Sequence, residues 1–373
     1  MTTILYLIHM KKVILGMSGG VDSTIAAKLL QEQGYEVIGM FMNCDADNKK
    51  RWPTTIDWNS EEKALKDICK RLNIKLIVKN TGEGYEKKVI SKMFKEYSKN
   101  LTPNPDTLCN SVGKFPLLYS VMKEEKADFI ATGHYARIKK EGKKIKLLMG
   151  KDPKKDQSYF LIGIKNKYLA KCLFPVGELT KEEVRQMAKL MNFKNWDKRS
   201  SRGICYLGKI DMREFLESRI NKKKGNVLDT KNNIIGEHEG SYFFTIGQRI
   251  SFERGVSLNK LGKKLYSGSK LLVARKTKKN ELIVAEPNDP ILKTKIIRIK
   301  KLFKIDKNEE IVNKKFNVRI RHLGEFHKGK LIKDKNYYYF KFDQGVESIA
   351  SGQIIGLYNQ EIVVGGGEMK RIE

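Results

Sequence analysis

The chain has 373 residues, 40% hydrophobic and 31% charged, with a mean hydropathy of -0.48, enough apolar material for packed cores in two or three domains. No apolar run is long enough to span a membrane, and 8 Pro and 5 Cys exclude collagen-like and disulfide-scaffold classes. Basic residues outnumber acidic ones 74 to 43, a net charge of +31 that suits a polyanionic partner, although Lys-rich usage also follows from an A/T-rich genome.

The opening MTTILYLIHMKK lacks a basic stretch before its apolar residues and a cleavage site after them, so it does not read as a signal peptide. Residues 1–11 are expected to be an extension, with Met10 the more natural start. Val13 to Met17 is a short apolar run that predicts a buried parallel strand. Ser18-Gly19-Gly20-Val21-Asp22-Ser23 follows, and then Ile25, Ala26, Leu29 and Leu30 recur at helical spacing. Glu36 to Met42 predicts a second strand. A Gly-Gly loop between strand and helix can hold phosphate on backbone N–H groups and the positive helix end. The loop is neither GxxxxGK[ST] nor GxGxxG.

Residues 44–60 read as a long polar loop over this site, Glu61 to Leu72 as a helix, Ile74 to Val78 as a third strand and Tyr85 to Tyr97 as a helix. Such alternation predicts a doubly wound parallel α/β sheet. Two prolines in Thr102-Pro103-Asn104-Pro105 fix an extended turn before Asp106. Asp106 and Cys109 are then three apart in a first helical turn, which puts carboxylate and thiol on one face and favours a thiolate at Cys109. Taken alone, a capped helix with a buried Cys is the better reading of the segment. Cys44, Cys69, Cys109, Cys172 and Cys205 are odd in number and widely spaced, without a CxxC pair. That argues against structural disulfides and a zinc site, implies no resident metal, and fits a reduced cytoplasmic compartment. Cys69 lies on the apolar stripe of its helix, and Cys44 and Cys172 read as structural.

Beyond this, Arg137 to Lys155 holds nine basic and two acidic residues, readable as a solvated hairpin or an RNA-facing one. From Lys293 to Lys335 there are fifteen basic and five acidic residues. Phe316 to Arg321 and Tyr337 to Phe342 alternate with period two, which with Gly turns predicts a small β-barrel. The aromatic run Tyr337 to Phe340 reads as barrel core rather than a base-stacking platform. The expected architecture is a doubly wound α/β domain over 12–196, a small central domain over 197–288 and a β-barrel over 289–373.

SGGxDS at Ser18 to Ser23 resembles the pyrophosphate loop (PP-loop) of ATP pyrophosphatases. TPNPDxxCN at Thr102 to Asn110, ATGHYAR at Ala131 to Arg137, KDQSYFL at Lys155 to Leu161, the Ser201-Arg202-Gly203-Ile204-Cys205 loop and TIGQR at Thr245 to Arg249 are together similar to the tRNA-specific 2-thiouridylases, a PP-loop family. The likeness runs from about residue 12 to residue 365.

The resemblance implies replacement of the C2 oxygen of the wobble uridine by sulfur. ATP, with Mg2+ accompanying it, would adenylate that oxygen so that it leaves as AMP. It implies nucleotide contacts from Gly16, Met17, Ser18, Gly19, Gly20, Val21, Asp22, Ser23, Met42 and Gly133. Cys205 would carry a persulfide, Cys109 would be the partner nucleophile and Asp106 the general acid/base. Asn104, Pro105, Asp106, His134, Lys155, Asp156, Gln157, Arg321, His322 and Gln353 would contact RNA. The implied partners are tRNA and a sulfur-donor protein, with no membrane. A mobile loop at Cys205 would let its sulfur meet that donor. Departures are Asn100 where the family has Gly, Gly113 where Ile is common, an unusual 44–60 stretch, and Ile250-Ser251-Phe252 after TIGQR. Rival classes are a PP-loop amide-forming ligase, which needs no cysteine pair, and a non-catalytic RNA-binding protein.

Overall fold

The computed structural model describes residues 10–45, 52–142, 144–198, 205–208 and 210–372. The extension up to residue 9, residues 46–51 of the polar loop and Ser201 to Ile204 of the second-cysteine loop lie outside the described residues. Contacts divide the chain into two compact units, one of residues 1–88, 106–209 and 361–363, the other of 89–105, 210–360 and 364–373.

The first unit is built on the strands β1 (Lys12–Met17), β2 (Glu36–Asn43), β3 (Lys75–Asn80), β4 (Phe129–Thr132) and, after the hairpin β5 (Ala136–Glu141) and β6 (Lys144–Met149), β7 (Cys172–Leu173). The sheet runs β3-β2-β1-β4-β7, parallel throughout. Val13, Ile14 and Leu15 of β1 are fully buried, as expected of a central strand covered on both faces. Helix α1 (Val21–Glu32) buries Ile25, Ala26 and Leu30. Helix α2 (Trp58–Leu72) buries Leu65 and Cys69, α3 (Phe115–Glu124) buries Phe115, Leu118 and Val121, and α4 (Lys181–Leu190) opens on a Thr180–Glu183 capping box. Among the described residues, no helix is long and apolar enough to cross a membrane.

Two sequence expectations are corrected here. α2 begins at Trp58, not Glu61, because the Asp57 carboxylate accepts the Asn59 and Ser60 N–H groups and starts the helix earlier. The Tyr85–Tyr97 helix is not continuous. A π turn over Glu86–Ile90 separates the helical pieces Gly82–Tyr85 and Ser91–Tyr97.

In the second unit, β8 (Gly225–Leu228), β9 (Ile234–His238), β10 (Val256–Leu258), β11 (Leu272–Lys276) and β12 (Leu282–Ala285) form a small sheet over Val227, Ile235, Phe244, Val273 and Val284. The strands β13 (Thr294–Lys304), β14 (Lys315–Arg319), β15 (His327–Asp334), β16 (Tyr337–Val346), β17 (Ile354–Asn359) and β18 (Ile362–Arg371) pair in the order β13-β16-β15-β14-β17-β18. Pairing of β13 with β18 closes the barrel. Phe340 and Phe342 point into its core while Tyr337 and Lys341 face solvent. The aromatic run is therefore packing material, as its period of two indicates. The α/β sheet, central domain and barrel expected from the sequence are all present.

Candidate active site: a glycine loop and a paired-thiol centre

β1 has β2 on one side and β4 on the other, so the sheet order reverses there. A crevice outside the carboxyl ends of strands at such a reversal is the usual ligand site of an open α/β sheet. The loop Ser18-Gly19-Gly20 leaves β1 at that point, and Gly133-His134 leaves β4.

Gly19 adopts φ +70°, which a side chain would strain. Gly20 is the N-cap of α1 and supplies no side-chain cap, so the first N–H groups of the helix are not spent on one. The Ser23 hydroxyl holds the loop internally, accepting from Ser18 N at 3.3 Å and donating to Gly20 O at 3.0 Å. Asn195 Nδ2 donates to Gly19 O and Thr24 Oγ1, both at 3.0 Å. A Cβ at Gly133 would lie 2.9 Å from the Asp22 carbonyl carbon and the Ser23 nitrogen, so β4 packs backbone against backbone on the start of α1. The Asp22 carboxylate accepts from Tyr135 Oη at 2.7 Å and is paired with Lys181. Gly16 lies within β1, against Leu118 and Thr132. Met17 and Val21 are buried beside the loop, and Met42 is buried at the end of β2, where Tyr206 Oη contacts its sulfur at 3.0 Å.

These residues fit a nucleotide's phosphates: an uncapped helix start, a glycine in a conformation that brings backbone close, and lysines that offset the carboxylates nearby, Lys181 that of Asp22 and Lys198 that of Glu61 beside Gly19. Among the described residues, no group of three or more His, Cys, Asp or Glu side chains could hold a metal ion.

The second half of the site lies on the segment after Pro105. It starts as a helix over Pro105–Leu108, opens into a π turn over Cys109–Lys114 and resumes as α3. The Cys109 and Cys205 thiols, far apart in the sequence, are hydrogen-bonded to each other. Asp106 Oδ1 accepts the Cys205 N–H at 2.9 Å, and Tyr85 Oη donates to the Cys205 carbonyl. Aromatic rings close round this loop. Tyr206 lies 5.3 Å from Tyr85 and stacks at 6.0 Å on Trp58, and Trp52 lies 5.6 Å from Tyr85. Thr54 Oγ1 donates to Leu207 O at 2.9 Å. Tyr206 itself sits at φ +66°, a strained setting for an aromatic residue.

The two thiols are not equivalent. The bond from Cys109 and the Lys114 ammonium pull the Cys205 thiol below its ordinary value against the opposing effect of burial. Cys109 is pushed well above its own, first because it donates to Cys205 and then by burial. The expectation of a thiolate at Cys109 is therefore corrected. Its sulfur is fully buried and its proton is shared toward its partner, so Cys205 is the more acidic thiol of the pair. Desolvation raises the Asp106 carboxyl, with the Cys205 amide opposing. His134 bonds Thr132 Oγ1 at 2.7 Å. Burial first, then the Lys114 charge, holds it well below its ordinary value, as a neutral imidazole.

In the Lys155-Asp156-Gln157 segment, Gln157 grips Tyr135 from both sides, its side chain accepting the Tyr135 N–H at 3.0 Å and its own N–H meeting Tyr135 O at 2.8 Å. Asp156 is fully buried and accepts the Gly150 and Ser158 N–H groups at 3.0 Å. Expected at the RNA surface, it is instead turned inward, because two loop amides need an acceptor there. Lys155 is half-buried. The basic run before it is a hairpin, β5–β6, whose Glu141 pairs with Lys139 and Lys146. In the second unit, Gln353 Nε2 donates to Pro103 O at 3.2 Å and Thr102 N to Ser351 O at 2.8 Å, which fixes the strand leading to half-buried Asn104 and Pro105. Arg321 is exposed and His322 half-buried near the β14–β15 turn. Cys44, Cys69 and Cys172 are buried, and burial pushes the Cys69 thiol up to about 11.

Sequence reasoning missed Lys114, Tyr85, Tyr206, Lys181 and Asn195. For Lys181 the readable signal was a lysine opening a helix right behind a capping box. For the others no local pattern marks the role.

Sheet order, loop and thiols define a PP-loop α/β protein with a paired-thiol centre. Three family models match in chain order: "tRNA methyl transferase HUP domain" over residues 11–209, "tRNA methyl transferase PRC-barrel domain" over 213–286 and "Aminomethyltransferase beta-barrel domain" over 294–369. Among curated proteins, the tRNA-specific 2-thiouridylase MnmA of Blochmanniella floridana is 39% identical, covering 96% of each chain. The protein of the same name from Malacoplasma penetrans is 36% identical over 97% of this chain and 99% of its own. That from Buchnera aphidicola subsp. Acyrthosiphon pisum is 38% identical over 96% of each. The chain belongs to the tRNA-specific 2-thiouridylase family.

Proposed function

We propose that this protein replaces the C2 oxygen of the wobble uridine of tRNA by sulfur, using ATP and a cysteine persulfide, and yields 2-thiouridine, AMP and pyrophosphate. The observation that carries the reading is the Cys109–Cys205 thiol pair on the Asp106 carboxylate, in the same unit as the glycine loop. ATP supplies the adenylyl group that turns a poor leaving oxygen into AMP. The Ser18 to Ser23 loop and the first turn of α1 would hold its phosphates, Gly133 and Met42 lie at the strand ends beside the loop, and Asp22 would meet a Mg2+ that travels with the nucleotide by exchanging its Lys181 partner.

The Cys205 thiolate accepts the outer sulfur of a donor protein's persulfide, and the donor leaves as a thiolate. Cys109, deprotonated with Asp106 as the base, then attacks the Cys205 sulfur. The terminal sulfur departs as hydrosulfide and attacks C2 as the adenylated oxygen leaves. A Cys109–Cys205 disulfide remains and an external thiol reduces it. Reaching C2 of one base requires that base to leave its stack. Asn104, Pro105, Lys155, Gln157, Arg321, His322 and Gln353 serve RNA contact or position the segments that make it.

The test is nucleoside mass spectrometry of tRNA incubated with enzyme, ATP and a persulfide donor. Cys109→Ser and Cys205→Ser are each expected to give no thiouridine while tRNA-dependent pyrophosphate release continues. Thiouridine formed by either variant would refute the cysteine roles, and absence of tRNA-dependent pyrophosphate release in the unaltered protein would refute the nucleotide role.

A further inference from the structure

Lys114 ends the π turn that Cys109 begins. In an α-helix, residues five apart point about 140° away from each other at 3.6 residues per turn. The wider i→i+5 winding of a π turn returns the fifth residue to the face of the first. Lys114 is thereby carried to the thiols. Its ammonium lies 5.8 Å from the centre of the ring of Tyr206, the residue next to Cys205 in the chain, and acts on the Cys205 thiol.

Other groups face the thiols from every packed element. Asp106 comes from the helix start, Tyr85 from the Gly82–Tyr85 helix and Tyr206 from the loop itself, with Cys44 behind the two tyrosines. His134 stands near Lys114 and is neutral. Among the described residues, Lys114 is the cation that acts on the Asp106 carboxylate and both thiols.

We propose that Lys114 is a catalytic residue of the thiol centre, a shared counter-charge that ionises Cys205 first and Cys109 second. The inference rests on the sulfur-transfer reading above. While Cys205 is a free thiol, the Lys114 charge supports the thiolate there, and Cys109 stays protonated as its donor. Once Cys205 forms its bond to the outer sulfur and the donor's S–S bond breaks, the negative charge leaves with the donor. The ammonium then has Cys109 as its remaining thiol partner, and the Cys109 proton passes to Asp106. No oxidant is consumed, because the sulfur transferred already carries its oxidation state. The Lys114 charge lowers the Cys205 and Cys109 thiols; burial works against that charge, and Cys205, Cys109 and Asp106 together outweigh burial and raise the ammonium above its ordinary value, as this order of events requires.

The experiment follows alkylation of Cys205 against pH, with site-resolved mass spectrometry, in the full chain without ATP or tRNA. Lys114→Gln and Lys114→Met should raise the midpoint by a unit or more, seen as an about tenfold slower reaction at neutral pH. Lys114→Arg should restore it. In a Cys205→Ser background the Cys109 midpoint should fall, and adding Lys114→Gln should reverse that fall. tRNA binding reports that each variant is folded, and two neutral variants guard against loss of either. An unchanged Cys205 midpoint in a folded neutral variant overturns the proposal even if thiolation persists. A shifted midpoint in a protein that makes no thiouridine leaves Lys114's role standing and sinks the thiolation reading instead.

Discussion

The Asp106 carboxylate and the Cys205 backbone N–H are joined at 2.9 Å, so the residue expected to handle a proton also anchors the loop that carries sulfur. Desolvation raises its carboxyl, which favours a group able to take a proton from a thiol. The two duties separate by substitution. Asp106→Asn keeps an acceptor for the amide but not the acid/base pair, and Asp106→Ala removes both. Both should lower thiouridine formation by about 10²-fold or more, while only Ala should speed hydrogen exchange at the Cys205 amide. A full rate in the Asn variant would leave Asp106 as an anchor alone.

Gly133 meets backbone atoms of Asp22 and Ser23, which cannot yield as a flexible side chain would. Gly133→Ala should push the first turn of α1 out of place and cost about 1–3 kcal/mol of stability. The larger effect should be on ATP, with a KM in pyrophosphate release raised about tenfold or more. An unchanged KM would separate the β4 end from the nucleotide site.

His238 is buried in the small sheet of the second unit. It accepts the Gly240 N–H on Nδ1 at 2.9 Å, so its Nε2–H donates to Asn280 O at 3.0 Å. The ring is therefore neutral, and desolvation holds it below its ordinary value of 6.5. Unfolded, it takes a proton that the folded form refuses. Its stability contribution is present above pH 6.5 and is lost as pH falls through the lowered folded value, at up to about 1.4 kcal/mol per pH unit. Denaturant midpoints should fall between pH 7.5 and 5, and His238→Gln should flatten that dependence. An equal slope in the variant would assign it to other groups.

Gln353 spends its side-chain amide on the Pro103 carbonyl. Gln353→Ala frees the strand before Asn104 at a cost of about 0.5–1.5 kcal/mol, one ordinary hydrogen bond. tRNA affinity measured at fixed salt should drop by a few fold, with the KM for ATP unchanged. A loss confined to ATP would contradict the placement of this residue on the RNA side.

What the sequence discloses and what it hides follow from how local each cause is. Val13 to Met17, the glycine loop and α1 are legible because strand burial, turn chemistry and helical spacing are written within twenty residues. The start of α2 was also legible in Asp57, an N-cap two and three residues before the amides it holds, but the polar composition around it invited a loop reading. The order β3-β2-β1-β4-β7 was not legible, because β4 reaches β1 across more than a hundred residues and only the packed sheet decides it. The inward turn of Asp156 is equally non-local, set by the Gly150 amide that it serves. Cys109 and Cys205 could be paired by resemblance, yet which of them is the more acidic depends on how the packed thiols meet each other and on a lysine that α-helical periodicity would place elsewhere.

Between Cys109 and Lys114 the spacing matters more than the identity of the intervening residues. A Cβ at Gly113 would meet nothing within 4 Å, and Ser111 and Val112 are only half-buried, so the stretch has room for many side chains. Removing one residue is a different matter. The widened turn would snap back to ordinary winding and swing the ammonium away from the sulfurs. Ser111 to Gly113 should therefore drift in spelling during evolution, while Asn110, buried and donating to Phe160 O at 3.1 Å, and the length of the stretch stay fixed.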